Sequence, residues 1–386
     1  MTSSRSSSRT RSVLFLTAGD PRRLTGGNIY NAYVLRALRR ARIRVALVRA
    51  GTADVTRALD RGPRVVIVDS IAFAAVGEAL DAVRGRVIAL AHMRVSGAAA
   101  RRVLARADRV VAVSAALARD IGVPGVRVIT PGSDRVPRVR RRSRDGRLRV
   151  LCVANWSRAK GIDVLARAVA RMDGVRLELV GDAQDAAYAR AVRHALAGVD
   201  GAIVIRGPLR GAALARAYAD ADVVAVPSRS EGYGMAASEA IAHGTPVIAS
   251  DLPALRAIVG RAGLLIPPSN VRALARALER VADPRLRRRL AARARDRARS
   301  LPRWRDAERE FVALVEEEMQ RARIGGDHMP LRGVKSRKRT RQYEHIKRSE
   351  MKRGRSTKVA KRIAAATTNK TRRKKGETKS RSRKKS

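Results

Sequence analysis

The sequence predicts an α/β protein made of two doubly wound, parallel-sheet domains facing across a cleft, followed by a basic tail. Short apolar runs rich in Val and Ile alternate with longer Ala/Arg/Leu segments whose apolar positions recur at helical spacing, the signature of strand–helix–strand units. The alternation stops at the charged segment RVRRRSRDGR (138–147) and then starts again. At 386 residues the chain is also too long for one ordinary domain and suits two, each able to bury its own core.

Taken in order, residues 1–12 (MTSSRSSSRTRS) are expected to be a disordered leader. The apolar run after them is shorter than the core of a signal peptide and ends at Gly19-Asp20. The first domain, 13–138, takes its strands from SVLFLTA (12–18), RVALVRA (44–50), RVVIVDS (64–70), RVIALAH (86–92), RVVAVS (109–114) and VRVITPG (126–132). Residues 139–147 form the linker. The second domain, 148–303, takes its strands from LRVLCVAN (148–155), VRLELVGD (175–182), AIVIRGP (202–208) and ADVVAVPS (221–228). After TPVIASD (245–251), two helical patterns are expected to close the body. The last is the amphipathic helix 304–324, free to pack back across either domain. Residues 325–386 form the basic tail. Two such sheets leave a cleft at the carboxyl ends of their strands, where ligands of open α/β sheets bind.

Charge and cysteine use narrow the function classes. The formal net charge is +50, and the last 58 residues hold 12 Lys and 12 Arg against 3 Glu, a net of +21. The body before them remains basic, yet of its 60 cationic residues only Lys160 is a lysine. The tail uses Lys and Arg equally, so two compositional histories meet near Gly325-Gly326. Cys152 is the sole cysteine, which excludes an internal disulfide, and no Cys/His group has zinc spacing. No structural metal is expected. No apolar stretch approaches the roughly 20 residues that cross a bilayer, and the expected location is the cytoplasm, with peripheral contact at the inner membrane face as a variant.

The segment PSRSEGYGMAASEAIAHGTPVIASD is the most specific in the chain. It reads as a strand, a glycine-bearing loop and a helix. Gly232-Tyr233-Gly234, with Met235 following, lets the backbone approach a phosphate, and the helix N-terminus offers unpaired N–H groups. Glu239, about one turn into the helix, can take two ribose hydroxyls, and Glu231 in the loop lies nearer a sugar. For an isolated pair, an acidic first helical turn favoured by the dipole would be the better explanation. The second signal is VANWSRAKGIDVLARAV, which leaves Arg158 and Lys160 in a strand-to-helix loop. A fixed ammonium there stabilises charge developing on a diphosphate leaving group. Gly26-Gly27 stands before a helix after the first strand, a tight turn or a phosphate-facing one, and Asp20 and Asn28 beside it are candidate acceptor contacts. Asp69 and Ser70 close another strand and are candidates to border an acceptor site. His243 reads as structural, and Asp220 and Asp222 as flanking a helix end rather than holding a metal.

These segments, with GTPVIASDLPALRAIVGRAGLLIPP, resemble the family 4 glycosyltransferases, and the resemblance spans residues 13 to 324. It implies the double Rossmann-like architecture known as GT-B, and transfer of a sugar from a nucleotide-sugar donor with retention of configuration. No enzyme nucleophile, metal or cofactor beyond that substrate is implied. By the same resemblance Glu231 contacts the donor sugar, Glu239 holds the ribose, the Gly26-Gly27 loop faces the donor, and His92 stands near the transferred sugar. The family's usual arginine is replaced by Asn155, leaving Arg158 to compensate. The acceptor is a glycan, a lipid-linked molecule or a small molecule.

The tail segment MPLRGVKSRKRTRQYEHIKRSEMKRG resembles a small basic plasmid-stabilisation-type protein, and implies a fusion or read-through. Disorder, or one or two marginal helices, is expected there. Its charge permits nonspecific contact with nucleic acid or anionic lipid. Two alternatives stand beside the transferase: a nucleic-acid-binding protein with a degenerate enzyme body, and a sugar-nucleotide epimerase on the same architecture.

Overall fold

The computed structural model describes residues 11–51, 54–134, 146–183, 185–197, 199 and 202–326, together with short segments between 342 and 374. The expected leader, apart from residues 11 and 12, and all of the expected linker but 146 and 147 lie outside the described residues. Residues 1–319 form one compact unit and 320–386 a second.

The first unit contains two six-stranded sheets in which every neighbouring pair is parallel. The first sheet comprises β1 (Ser12–Thr17), β2 (Arg44–Arg49), β3 (Val65–Asp69), β4 (Arg86–Ala91), β5 (Arg109–Ala112) and β6 (Arg127–Val128). Its order is β2-β1-β3-β4-β5-β6, so the winding reverses between β1 and β3. The second comprises β7 (Leu148–Val153), β8 (Val175–Val180), β9 (Ala202–Arg206), β10 (Val223–Val226), β11 (Val247–Ser250) and β12 (Gly263–Ile266). Its order, β12-β11-β10-β7-β8-β9, reverses between β7 and β10. At each reversal the following loops leave in opposite directions and open a crevice at the carboxyl edge.

Central strands β3 and β10 are buried along their whole length, as parallel strands covered by helices on both faces must be. One apolar cluster runs continuously from Phe15, Tyr30 and Leu90 of the first sheet to Val224, Tyr233 and Leu255 of the second. The outer faces are sealed by separate clusters around Leu165 and Leu278, and around Leu80 and Val87.

One expectation for the end of the body needs correction, and one open alternative is resolved. After β11 the chain forms not two helical stretches but four helices, Pro253–Val259, Val271–Ala282, Pro284–Ala298 and Trp304–Gly326, with β12 between the first two. The last helix packs on the first domain. Trp304 stacks on Tyr33 with ring centroids 3.7 Å apart, and Phe311 meets the edge of Tyr30. The fully buried Glu318 takes Arg86 at 2.6 Å and Arg109 at 3.0 Å, while Glu308 takes Arg36 and Arg40 at 3.2 and 3.3 Å. Part of the body's arginine excess is therefore matched to acids on this one helix. Among the described residues no helix is long and apolar enough to cross a membrane.

In the second unit, residues Thr357–Lys374 form a helix, where disorder, or one or two marginal helices, was expected. Ala360, Ala364 and Thr368, spaced four apart on one face, are buried.

Candidate functional site

The reversal between β7 and β10 places the two cationic and acidic loops side by side. β7 feeds the loop that ends in a 3₁₀ turn, Arg158–Lys160. β10 feeds the loop that carries Glu231 and runs into the helix Met235–Ala242. Lys160 Nζ donates to Glu231 Oε1 at 2.6 Å, and Ser228 Oγ donates to the same oxygen at 2.9 Å. Gly161 makes the close approach possible. Its φ is +64°, and a side chain there would overlap the Pro227 carbonyl oxygen of the neighbouring loop.

Arg229 locks the two loops together. Its backbone N–H donates to the Ala159 carbonyl at 2.8 Å, and its guanidinium donates to the Arg158 carbonyl at 2.7 Å. It also forks onto both oxygens of Asp163 at 2.8 Å. Tyr188 adds a hydroxyl donor to Asp163 at 2.7 Å. Burial raises the Asp163 pKa, but these donors outweigh it and bring the carboxyl down to about 2. Arg158 itself is exposed and lends only its carbonyl to this lock. Asn155, at the position of the missing arginine, instead ties the halves together: its amide donates to the Leu24 carbonyl at 2.9 Å and its oxygen accepts from Asp182 N at 3.2 Å.

Glu239 sits in the helix after the glycine turn, and Tyr218 OH donates to its Oε2 at 2.7 Å. Burial raises the Glu239 carboxyl above its ordinary value, and the Tyr218 hydrogen bond works against that rise. His243 serves the helix end: its Nδ1 donates to the Glu239 carbonyl at 2.8 Å and its ring stacks on Tyr218.

The first domain meets this site edge to edge. Gly232 lies under the end of β4, where an added Cβ would overlap the His92 carbonyl oxygen, and Ser114 Oγ donates to the Gly232 carbonyl at 2.6 Å. Ser133 and Ser238 join hydroxyls across the same seam. Gly26 approaches Met235 Sδ, which would stand 3.3 Å from an added Cβ, and Gly27 packs against the His92 ring, 3.1 Å from such an atom. The structure thus gathers Gly26, Gly27, His92, Gly232 and Met235 along one seam. Tyr233 is buried beneath it, its hydroxyl 3.5 Å from Ser238 Oγ, and Gly234, at φ +107°, caps the helix start. Glu231, paired with Lys160, immediately precedes Gly232, and Glu239 lies on the helix that continues from the same turn.

His92 is itself framed. Its Nε2 is 2.9 Å from Asn31 Oδ1 and 3.8 Å from Asp69 Oδ1, its backbone N–H donates to Ser70 Oγ at 3.2 Å, and Tyr30 stands edge-on to the ring. Burial lowers the imidazole's pKa, and the Asp69 charge pulls the other way.

Two sequence expectations change. Asp69 cannot border an acceptor, because it is fully buried and holds Asn31 Nδ2 at 2.6 Å, Thr17 Oγ1 at 3.2 Å and the Ile71 N–H at 3.1 Å. Asn28 is turned inward, donating to the Asp20 and Arg23 carbonyls at 3.0 and 3.1 Å, whereas Asp20 itself stays exposed, accepting from Arg22 N at 2.9 Å. Asp220 and Asp222 do flank a helix end, that of Gly211–Asp220, and Asp222 also joins β7 to the helix 284–298, accepting from Arg149 N at 3.1 Å and pairing with Arg287 at 3.5 Å. Among the described residues no group of three or more His, Cys, Asp or Glu has metal-binding geometry. Asn31, Tyr218, Ser228 and Arg229 were not singled out by the sequence. Only Tyr218 carried a signal, tyrosine scarcity, six in the whole chain, with Tyr188 and Tyr218 each bonded to an acid of the site.

Residues 147–283 match the family described as Glycosyl transferases group 1. A D-inositol 3-phosphate glycosyltransferase of Mycobacteroides abscessus is 37% identical over 156 residues, 38% of this chain and 35% of that protein. The chain thus matches only about a third of this curated relative's length. Among solved structures, a sucrose-phosphate synthase from Thermosynechococcus elongatus aligns with a TM-score of 0.66 at 22% identity, covering 80% of this chain and 98% of that one. HepE of Anabaena, in complex with UDP and glucose, aligns with a TM-score of 0.65 at 18% identity, covering 79% and 99%. The two-sheet architecture is the expected GT-B fold.

Proposed function

We propose that this chain is a glycosyltransferase that moves a sugar from a nucleoside-diphosphate sugar to a glycan, lipid-linked or small-molecule acceptor, with retention of configuration and without a metal. The observation that carries this reading is the 2.6 Å pair of Lys160 with Glu231 at the reversal between β7 and β10, beside a glycine turn that opens a helix bearing Glu239. In this reading the diphosphate lies at the N-terminus of the helix Met235–Ala242, where unpaired N–H groups and the dipole favour an anion. Lys160 neutralises charge that develops on the leaving diphosphate, the part a divalent cation would otherwise take. Glu239 accepts the ribose hydroxyls, Glu231 orients the donor sugar, and His92 contacts that sugar from the first domain. The acceptor attacks from the face the nucleotide leaves, so no side chain acts as nucleophile. The match of residues 147–283 to glycosyl transferases supports the donor half most directly. UDP and glucose are bound in the HepE complex, which makes UDP the first nucleotide to try.

The test is calorimetric titration of UDP, GDP and ADP, with chelator present, into the full chain and its Glu239→Ala variant. One nucleotide is expected to bind the wild type and to lose at least tenfold in affinity in the variant. Lys160→Ala is expected to lower turnover roughly 10²- to 10³-fold, the usual cost of removing one transition-state charge partner. Wild-type protein that binds none of the three nucleotides would refute the reading.

A further inference from the structure

The contacts behind His92 fix more than its position. Asp69, fully buried at the end of β3, already accepts from Thr17 Oγ1, Ile71 N and Asn31 Nδ2. An ionised carboxylate has only acceptors to offer, so the nitrogen of the Asn31 amide must be the atom that faces it at 2.6 Å. The amide oxygen is then turned the other way, and it stands 2.9 Å from His92 Nε2. An amide oxygen cannot donate, so Nε2 must carry the hydrogen. In a neutral imidazole that leaves Nδ1 with the lone pair. The other sides of the ring are occupied: Gly27 packs against the Cδ2–Cγ edge and Tyr30 meets the ring at 68° with centroids 5.3 Å apart.

We propose that Asn31 is a positioning residue that holds His92 in the Nε2–H tautomer, so that Nδ1 accepts a hydrogen bond from a hydroxyl of the transferred sugar. The inference rests on the transferase reading for its catalytic half, while the tautomer itself is a property of the chain alone. Asp69 acts one step further back, by forbidding the flipped amide. The chain Asp69–Asn31–His92 draws one residue from β3 and one from the helix Gly26–Arg40, which follows β1 at the reversal of the first sheet, and one from the end of the neighbouring strand β4. Burial, which lowers the His92 pKa, keeps the ring neutral near pH 7 and so keeps Nδ1 an acceptor. Asp69 is the charged group that faces the ring in this network.

The experiment is NMR of the full chain with ¹⁵N-labelled imidazoles, His92 being assigned by its loss in His92→Gln, combined with steady-state transfer kinetics. Wild-type His92 is expected to show a protonated Nε2 and a bare Nδ1. Asn31→Leu, of similar size but with no polar atom, should give mixed tautomers and a kcat lower by roughly 10- to 100-fold, the range seen when partners that orient metal-bound imidazoles are removed. Nucleotide affinity should stay within a fewfold, showing that the fold and the donor half are intact. Asn31→Asp supplies the rescue. Two carboxyls at this separation share one proton, so Asp at 31 can donate to Asp69 and still accept from Nε2–H, restoring the tautomer and most of kcat. A wild-type ring protonated on Nδ1, or an Asn31→Leu protein with wild-type ring signals and kcat, would overturn the proposal. Absence of transfer by the wild type overturns the transferase reading instead, and the ring signals then still decide the Asn31 contact on their own.

Discussion

Substituting Gly232 by alanine tests whether the seam between the two domains sets the reaction geometry. The new methyl would overlap the His92 carbonyl oxygen and come within 2.9 Å of its carbonyl carbon and 3.2 Å of Met93 Cα. Carbon atoms settle at about 3.5–4.0 Å, and the obstacle is backbone, so the end of β4 and the Gly232 loop must part by about 1 Å. Over-packing of this kind costs about 1–3 kcal/mol of stability. The larger effect falls on rate. His92 belongs to one domain and Lys160 and Glu231 to the other, and misplacement by 1 Å at a reacting centre costs roughly 10²-fold. Initial rates of transfer at saturating donor, set beside calorimetric nucleotide affinity, are expected to show kcat reduced about 100-fold with affinity much less changed. A folded Gly232→Ala protein whose kcat stays within threefold of wild type would refute the seam as a determinant of catalysis.

Two further outcomes follow from the same contacts. Burial raises the Glu239 pKa and the Tyr218 hydroxyl lowers it, so Tyr218→Phe should raise it further. Nucleotide affinity then falls at a higher pH on acidification than in wild type, because ribose hydroxyls need the ionised acceptor; superimposable pH profiles would count against the Tyr218 contact. The stability sign is opposite: a carboxyl raised by folding stabilises the fold below its unfolded pKa, and that contribution is lost as pH rises through the folded value. Separately, Glu318→Ala takes the buried carboxylate from both Arg86 and Arg109, with Arg86 keeping Asp108 at 2.9 Å. Loss of one partner of a buried ion pair costs about 3–5 kcal/mol, and both arginines keep about 30% exposure, so chemical denaturation should report about 3 kcal/mol; a change below 1 kcal/mol would mean the helix from Trp304 is held by its apolar face alone.

The sequence disclosed what repeats locally and withheld what depends on approach in space. Strands such as VVIVD and VVAV stood out because central parallel strands are apolar on both faces. β12 did not: its four residues, GLLI, lie at the sheet edge with only Ile266 buried and run straight into Pro267-Pro268, so they did not stand out from the helical patterns expected around them. Lys160 was legible for a compositional reason, as the one lysine in an arginine-written body, and the structure puts its ammonium on Glu231, 71 residues away. Nothing in the local pattern of Asn31 marks it, since its meaning comes from Asp69 and His92, 38 and 61 residues on. The same holds for Tyr218, whose hydroxyl finds Glu239 only because the strand and glycine turn between them bring the chain back on itself. What joins these residues is winding order. Each sheet reverses once, and the reversals lie beside the loops after β1 and β3 in one domain and after β7 and β10 in the other. Those four loops and strand ends carry Gly26 and Gly27, Asp69, Lys160, and Glu231. Strand order therefore locates the site more sharply than any single motif does, because it is the reversal, not the residue, that brings the partners together.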